Sequence, residues 1–183
     1  MALTNNLNFR ITSGNKKGLL LNYPNTTDTR PTTDRVKQAI FNLLPFGFKA
    51  NSALDMFAGS GALGIECLSR GAKAAMFIDS SKTAADCITV NLKKADYLDV
   101  SKVIHGNFST VNFDTTFDII FLDPPYNKGL MQPALNLSAS LLNPGGIIVC
   151  KYDDSLPLPD FSAFNVLKTK KYGITTITLI ENY

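Results

Sequence analysis

Four consecutive residues, Asp123-Pro124-Pro125-Tyr126, follow the apolar run Phe117-Asp118-Ile119-Ile120-Phe121-Leu122. A strand over that run delivers a carboxylate, a stiffened backbone carbonyl and an aromatic ring into one loop. The set suits group transfer to an aryl amine. The lone pair of such an amine is delocalised into its ring, so the nitrogen is a weak nucleophile. Acceptors that hold both N–H hydrogens polarise it and aim the lone pair at the incoming carbon. The Asp123 carboxylate and the Pro124 carbonyl can supply them, and Pro124 and Pro125 restrict the backbone so that they are preorganised. Tyr126 offers a flat face on which an extruded base can stack. Direct in-line transfer then needs little prior removal of a proton. Taken alone, the tetrapeptide is equally an ordinary proline turn with a capping aspartate.

A second motif lies 68 residues earlier, counting from Asp55: Leu54-Asp55-Met56-Phe57-Ala58-Gly59-Ser60-Gly61-Ala62-Leu63-Gly64. Glycines between a strand and a helix let backbone approach a ligand at the strand's carboxyl end, where doubly wound sheets bind their ligands. Asp79 ends the next strand and is placed to accept from ribose hydroxyls. The G-x-G-x-x-G spacing also fits a dinucleotide fingerprint, so the loop alone does not choose between cofactors. Asp55 tilts the choice. A carboxylate near the mouth faces a pyrophosphate poorly but suits the amino and sulfonium charges of S-adenosylmethionine. Both loops are expected to open on one edge of one sheet, and that conjunction carries the reading.

The elements that must hold these loops follow from periodicity. From residue 52 onward the pattern alternates strand and helix. Strands are predicted at 53–57, 74–78, 100–105, 117–122 and 146–151, and helices from the glycine loop through 69, at 82–95 and at 130–142. Two final strands, 164–171 and 174–180, flank Gly173 and must be antiparallel, given so short a connection. This predicts an α/β domain with a mostly parallel sheet covered by helices on both faces. Ahead of it, residues 8–22 read as a β-hairpin with lysines near its turn. Thr33 caps a helix carrying Val36, Ile40, Phe41 and Leu44 on its apolar side, ended by Pro45-Phe46-Gly47. We therefore expect a 1–50 appendage, contacting RNA and cofactor, before a 51–183 catalytic domain.

The 183 residues carry a formal charge of +3, concentrated in the first 50, which hold seven basic and two acidic side chains. A basic arm on a near-neutral body fits a polyanion partner, or a solvated surface. The three cysteines form no metal-binding or disulfide pattern, so no metal is expected. No apolar run reaches the roughly 20 residues of a membrane span, and no signal peptide is visible, so a cytoplasmic protein is expected. His105, the sole histidine, suits a structural role. Phe41, Phe77 and Phe121 fall on apolar faces. Lys168, Lys170 and Lys171 on a late strand serve either phosphate contact or protection of a sheet edge.

Beyond these motifs the sequence resembles the small bacterial 16S ribosomal RNA guanine-N2 methyltransferases over nearly its whole length. The resemblance runs through Arg10-Ile11-Thr12-Ser13-Gly14, Lys17-Gly18, Thr29-Arg30-Pro31-Thr32-Thr33-Asp34-Arg35-Val36-Lys37 and Ala39-Ile40-Phe41-Asn42-Leu43-Leu44. It continues in the glycine loop, Asp123-Pro124-Pro125-Tyr126 and Lys171-Tyr172-Gly173. It implies a class I, Rossmann-like methyltransferase fold: a seven-stranded sheet with an antiparallel last strand behind an N-terminal β-hairpin. By position it implies that Asp55, Gly59 and Gly61 contact the methionine part of S-adenosylmethionine, with Phe57 also at the cofactor. Asp79 would then meet its ribose and Asn107 lie near its adenine, with Ser80 and Phe108 also binding the cofactor. It implies Arg10, Lys16, Lys17, Arg30, Thr32 and Arg35 for RNA, and the small ribosomal subunit or an assembly intermediate as partner of a working monomer. Departures stand at Leu19, where a basic residue is usual, at Gln38, where glutamate is usual, and at Lys151, where an acidic residue is common.

Other functions use parts of the same pattern. DNA adenine-N6 methyltransferases share the tetrapeptide chemistry but need a recognition domain for which this chain has no length. Protein-glutamine methyltransferases carry Asn in place of Asp123. A dehydrogenase-like module would bind NAD, and an RNA-binding scaffold without activity would tolerate loss of Asp123.

Overall fold

A computed structural model describes residues 9–24, 33–126 and 128–183. Helix α1 (Asp34–Leu43) begins where expected: the Thr33 hydroxyl accepts the Val36 N–H at 3.4 Å. Strand β1 (Ser52–Asp55), helix α2 (Ala62–Ser69), strand β2 (Ala74–Asp79) and helix α3 (Lys82–Ala95) follow. After strand β3 (Ser101–His105) come β4 (Phe117–Leu122), α4 (Met131–Leu141), β5 (Leu142–Asp153), β6 (Phe164–Tyr172) and β7 (Thr175–Asn182).

The seven strands form one sheet in the order β3-β2-β1-β4-β5-β7-β6. Strands β1 to β5 pair in parallel, and β7 runs antiparallel between β5 and β6. Chain order reverses about β1, whose neighbours are β2 and β4. Crevices for ligands open at such a switch point, beyond the carboxyl ends of the strands.

Alternation along the strands decides which groups reach that crevice. One core holds Ala53, Phe77, Ile119, Phe121, Val149 and Ile177 against helices α1 to α3 and the N-terminal segment. The opposite core holds Leu54, Met76, Ile78, Ile120, Leu122 and Cys150 against α4. With a period of two, Asp55, Asp79, Asp123 and Lys151 all continue the first series. Four charged groups thus come to one face at one edge. Phe41, Phe77 and Phe121 are core, as expected.

The N-terminal hairpin is shorter than the sequence implied. Among the described residues it has one antiparallel bridge, Arg10–Leu20, with Ile11 N–H donating to Leu19 C=O and Leu21 N–H to Phe9 C=O. Its turn departs from a ladder because it docks on the end of α2. Asn15 N–H donates to Ser69 C=O, Lys16 N–H to Ser69 Oγ, and Ser69 Oγ–H to Ser13 C=O. Gly14, at φ 82°, lies so close that a Cβ there would sit 1.7 Å from the Ser69 carbonyl oxygen. Any other residue would lift the turn off the helix.

Candidate active site

The glycine loop between β1 and α2 borders a cavity of about 430 Å³ at the sheet's carboxyl edge. Asp55, Phe57, Gly59, Asp79, Ser80, Asn107 and Phe108 line it, together with Asp123, Pro124, Pro125 and Tyr126. The two motifs are neighbours because β1 and β4 are paired in parallel, with Asp55 opposite Phe121. The tetrapeptide starts two residues beyond Phe121. Gly61 stands outside the lining: its backbone caps α2 at φ 77°, facing Ile65 and Ile88. Gly64 lets α2 lie on the sheet, since a Cβ would meet the Phe77 ring at 2.3 Å.

Asp55 and Asp79 are tied to backbone. Asp55 accepts the Gly64 N–H at 3.0 Å in the first turn of α2. Asp79 accepts from Gly59 N–H at 2.8 Å and Ser81 N–H at 2.9 Å, which clamps the loop to the end of β2. Asn107 accepts from the Ser109 N–H and hydroxyl, capping a short 3₁₀ turn that carries Phe108. Phe57 and Phe108 meet edge to face with centroids 5.1 Å apart. The cavity thus has an acidic side and an aromatic side.

Burial pushes the Asp55 carboxyl up to about 7; the Gly64 N–H opposes this, and Asp123 and Asp79 add to it. Such a carboxyl is poised to ionise on meeting a cation. Those residues fit S-adenosylmethionine: acidic groups for its amino and sulfonium charges, Asp79 for ribose hydroxyls and the Phe57–Phe108 pair for a purine face.

Lys151 completes the site and was noted in the sequence only as a departure. Its ammonium donates to Asp123 Oδ1 at 2.6 Å and to the Tyr126 hydroxyl oxygen at 3.2 Å, and lies 5.3 Å from the Tyr126 ring centroid. Burial disfavours that ammonium, but the interactions with Asp123 and Tyr126 outweigh it and hold its pKa above the ordinary lysine value. What joins Lys151 and Asp123 is inter-strand register, which no local sequence pattern carries. Leu122 pairs with Cys150, so Asp123 and Lys151 are the next pair.

Sequence reasoning also missed Tyr23 and Pro24, which line the cavity. Asn91 of α3 puts them there. It accepts from Asn22 N–H at 2.7 Å, and its amide donates to Asn22 C=O at 2.9 Å and Ser60 C=O at 2.8 Å. A polar residue inside the stripe Ala84, Cys87, Ile88, Asn91, Leu92, Ala95 was the visible hint.

Among the described residues, those the sequence assigned to RNA do not line the cavity. Arg10 pairs with Asp34, Nε to Oδ2 at 3.5 Å, and Arg35 is exposed on α1. Lys16 lies over the Tyr97 ring at 5.7 Å, and Lys17 is exposed beside it. That turn contacts Ser69, at the end of α2 remote from the glycine loop. Arg30 and Thr32 lie outside the described residues. His105 meets the Ser80 carbonyl oxygen at 3.2 Å. Among the described residues, no group of three or more His, Cys, Asp or Glu could hold a metal ion. Likewise, no described helix is long and apolar enough to cross a membrane.

Sheet order, the glycine loop and the Asp-Pro-Pro-Tyr loop beside it define a class I, Rossmann-like methyltransferase. The family model described as Conserved hypothetical protein 95 matches residues 9–181, and the chain belongs to that family. It is 36% identical to YlbH of Bacillus subtilis over 180 residues, covering 94% of this chain and 98% of that protein. It is 35% identical to ribosomal RNA small subunit methyltransferase D of Haemophilus influenzae over 181 residues, covering 94% and 93%. The solved structure of yhhF from Escherichia coli superposes with a TM-score of 0.79 at 31% identity, covering 94% of this chain and 97% of that one.

Proposed function

We propose that this enzyme transfers a methyl group from S-adenosylmethionine to the exocyclic N2 amine of a guanine in 16S ribosomal RNA, acting in the cytoplasm on the small subunit or an assembly intermediate. The observation that carries the reading is the adjacency of Asp55 and Asp123 at neighbouring strand ends, on the rim of one cavity. The small-subunit methyltransferase D of Haemophilus influenzae supports the choice of RNA.

Asp55, Gly59 and Asp79 would hold the cofactor, with Phe57, Asn107 and Phe108 around its base. When bound, S-adenosylmethionine supplies an electrophilic methyl group on a sulfonium. Asp123 and the Pro124 carbonyl accept the two amine hydrogens, turning the nitrogen lone pair toward the glycine-loop cavity. Tyr126 stacks on the base. A second cavity of about 380 Å³ shares Pro124, Pro125, Tyr126, Leu130 and Lys151 with the first and has room for that base. The nitrogen sheds its surplus proton after transfer, with Asp123 as nearest acceptor.

The test uses purified protein, labelled S-adenosylmethionine and small subunits from cells lacking the enzyme, with modified nucleosides identified by mass spectrometry. N2-methylguanine in 16S RNA is expected. Label on DNA adenine instead would move the assignment to an adenine-N6 enzyme. Asp123→Ala is expected to lower transfer about 100- to 1,000-fold while cofactor affinity, measured by calorimetry, stays near wild type. Equal loss of both would assign Asp123 to cofactor binding.

A further inference from the structure

Prolines fix only part of the tetrapeptide. Pro124 and Pro125 set their own φ, and Pro124 restricts the backbone of Asp123. The χ angles of Asp123 and Tyr126 are untouched by this, yet their side-chain atoms must hold the amine and the ring. Something outside the loop has to fix them.

Lys151 is the group in contact with both. It sits in β5, opposite Ile177 of β7 and one residue past the Leu122–Cys150 pair with β4, so the β7 ladder holds its backbone directly and the β4 ladder holds the residue before it. Its side chain is 8% exposed and that of Asp123 16%. From this rigid base the ammonium reaches one oxygen of the first residue of the tetrapeptide and the hydroxyl of the last. A charge-assisted bond of 2.6 Å in so protected a place is strong and directional. The cation also lies near the Tyr126 face, which adds attraction to the ring.

The position of this contact matters as much as its strength. Lys151, Pro124, Pro125 and Tyr126 border both cavities, so the Asp123–Lys151–Tyr126 triangle stands at the boundary between them. Three carboxylates, Asp55, Asp79 and Asp123, face the first cavity against two ammonium groups, Lys128 and Lys151. Of those two, Lys151 is the one whose ion pair with Asp123 the structure defines.

We propose that Lys151 is a positioning residue for methyl transfer: by bridging Asp123 and Tyr126 it fixes the amine acceptor and the stacking ring in one geometry at the boundary of the two cavities. The proposal rests on the reading of Asp123 as the amine acceptor. It assigns to a central strand the precision that the prolines leave incomplete. Misplacement of a reacting group by about 1 Å can cost about 100-fold in rate.

The test compares Lys151→Arg, Lys151→Gln and Lys151→Met in the full chain, with labelled S-adenosylmethionine and small ribosomal subunits. Arg keeps charge and donors, Gln keeps a donor without charge, and Met keeps only bulk. The expected order of kcat is wild type, Arg, Gln, Met, with Met down about 100-fold and Arg restoring most of the loss. Cofactor affinity by calorimetry should stay at the wild-type value across the series. A Met variant as fast as wild type overturns the proposal, as does one that is faster, because Lys151 would then compete with substrate for Asp123. So does a fall in cofactor affinity parallel to kcat. If Met does not fold, a Gln variant at the wild-type rate has the same force. Asp123→Ala separates the two readings. An active Asp123→Ala enzyme removes the acceptor role itself, whereas an inactive one alongside an unimpaired Lys151→Met removes only the positioning role.

Discussion

Two charged clusters lie on the same face of the sheet, and they are built on opposite terms. Under the hairpin, Glu66 of α2 is fully buried and every contact it makes is complementary. It accepts from Thr12 N–H at 2.7 Å, Thr12 Oγ1 at 2.8 Å and Arg70 Nε at 2.9 Å, with Lys37 Nζ at 3.5 Å. Lys37, also fully buried, donates to the Arg10 carbonyl oxygen at 2.6 Å and has Asp34 at 3.7 Å. At the cavity, Asp55 is just as deeply placed but has one backbone N–H and two carboxylate neighbours. A closed set of charges builds structure; an acidic excess at a cavity is a demand for a cationic ligand.

The closed cluster should break hardest. Glu66→Ala leaves buried Lys37 with the more distant Asp34 as its countercharge and strips the Thr12 N–H and hydroxyl of their acceptors. The expected loss is about 3–5 kcal/mol in urea unfolding. Because Lys37 and Glu66 act as a pair, Lys37→Met combined with Glu66→Gln should cost less than the sum of the two single changes. Strict additivity would show that they do not form a unit. Arg70, stacked 4.3 Å from the Phe41 centroid, would then be the main link between α1 and α2.

The acidic cavity makes a different prediction, one that depends on pH. Asp55 titrates near 7 in the folded chain against an ordinary 3.8, so between those values the unfolded chain releases a proton that the folded chain keeps. Stability of the ligand-free protein should therefore fall as pH rises through this window and level off above it. The contribution of this group is up to about 4 kcal/mol. Asp55→Asn should flatten the fall and raise stability at pH 8. The ligand side has the opposite sign. A cationic cofactor favours the ionised carboxylate, so affinity for S-adenosylmethionine should rise with pH, up to about tenfold per unit below 7, and plateau above. Calorimetry across roughly pH 5.5 to 8.5 brackets that titration and reads both effects. A flat affinity profile would place the cofactor's charge away from Asp55.

Much of this architecture was legible in the chain because strand alternation and helix caps are local. The 82–95 and 117–122 elements fall where periodicity put them, and the adjacency of the glycine loop and the tetrapeptide followed from parallel strands sharing an edge. What escaped was nonlocal. Lys151 read as a departure because its partner is fixed by inter-strand register. Asn91 drew no notice in the sequence because its backbone partners, Asn22 and Ser60, lie outside α3. Strand β5 runs from Leu142, four residues ahead of the expected start at Gly146, since its pairing with β4 shifts register between Phe117 and Ile119 and takes in Asn143-Pro144-Gly145. The hairpin itself was legible, but its docking on α2 was not, for the same reason. Its turn residues bond to Ser69 in preference to extending a ladder.

The smallest expected effect concerns where RNA is held, and it sets two lysine groups against each other. The hairpin turn, with Lys16 and Lys17, docks at the end of α2. That end lies about 12 Å from the glycine loop, given eight residues at about 1.5 Å each. Strand β6 is an edge strand, and Lys170 stands level with Lys151 across β7, both paired with Ile177. Two inter-strand steps put that backbone about 10 Å from the tetrapeptide's partner, on the active edge. Lys171 is engaged with Asp154, so Lys168 and Lys170 are the better probes. Changing both to Ala should raise KM for RNA severalfold. It should also make the log–log salt slope of binding shallower, by about 0.7 to 0.9 for each phosphate these lysines neutralise. Changing Lys16 and Lys17 together should move kcat not at all and KM less than the β6 pair. The reverse ranking would mean that the RNA wraps past the far end of α2, and that the hairpin is a recognition arm extending well beyond the reaction edge.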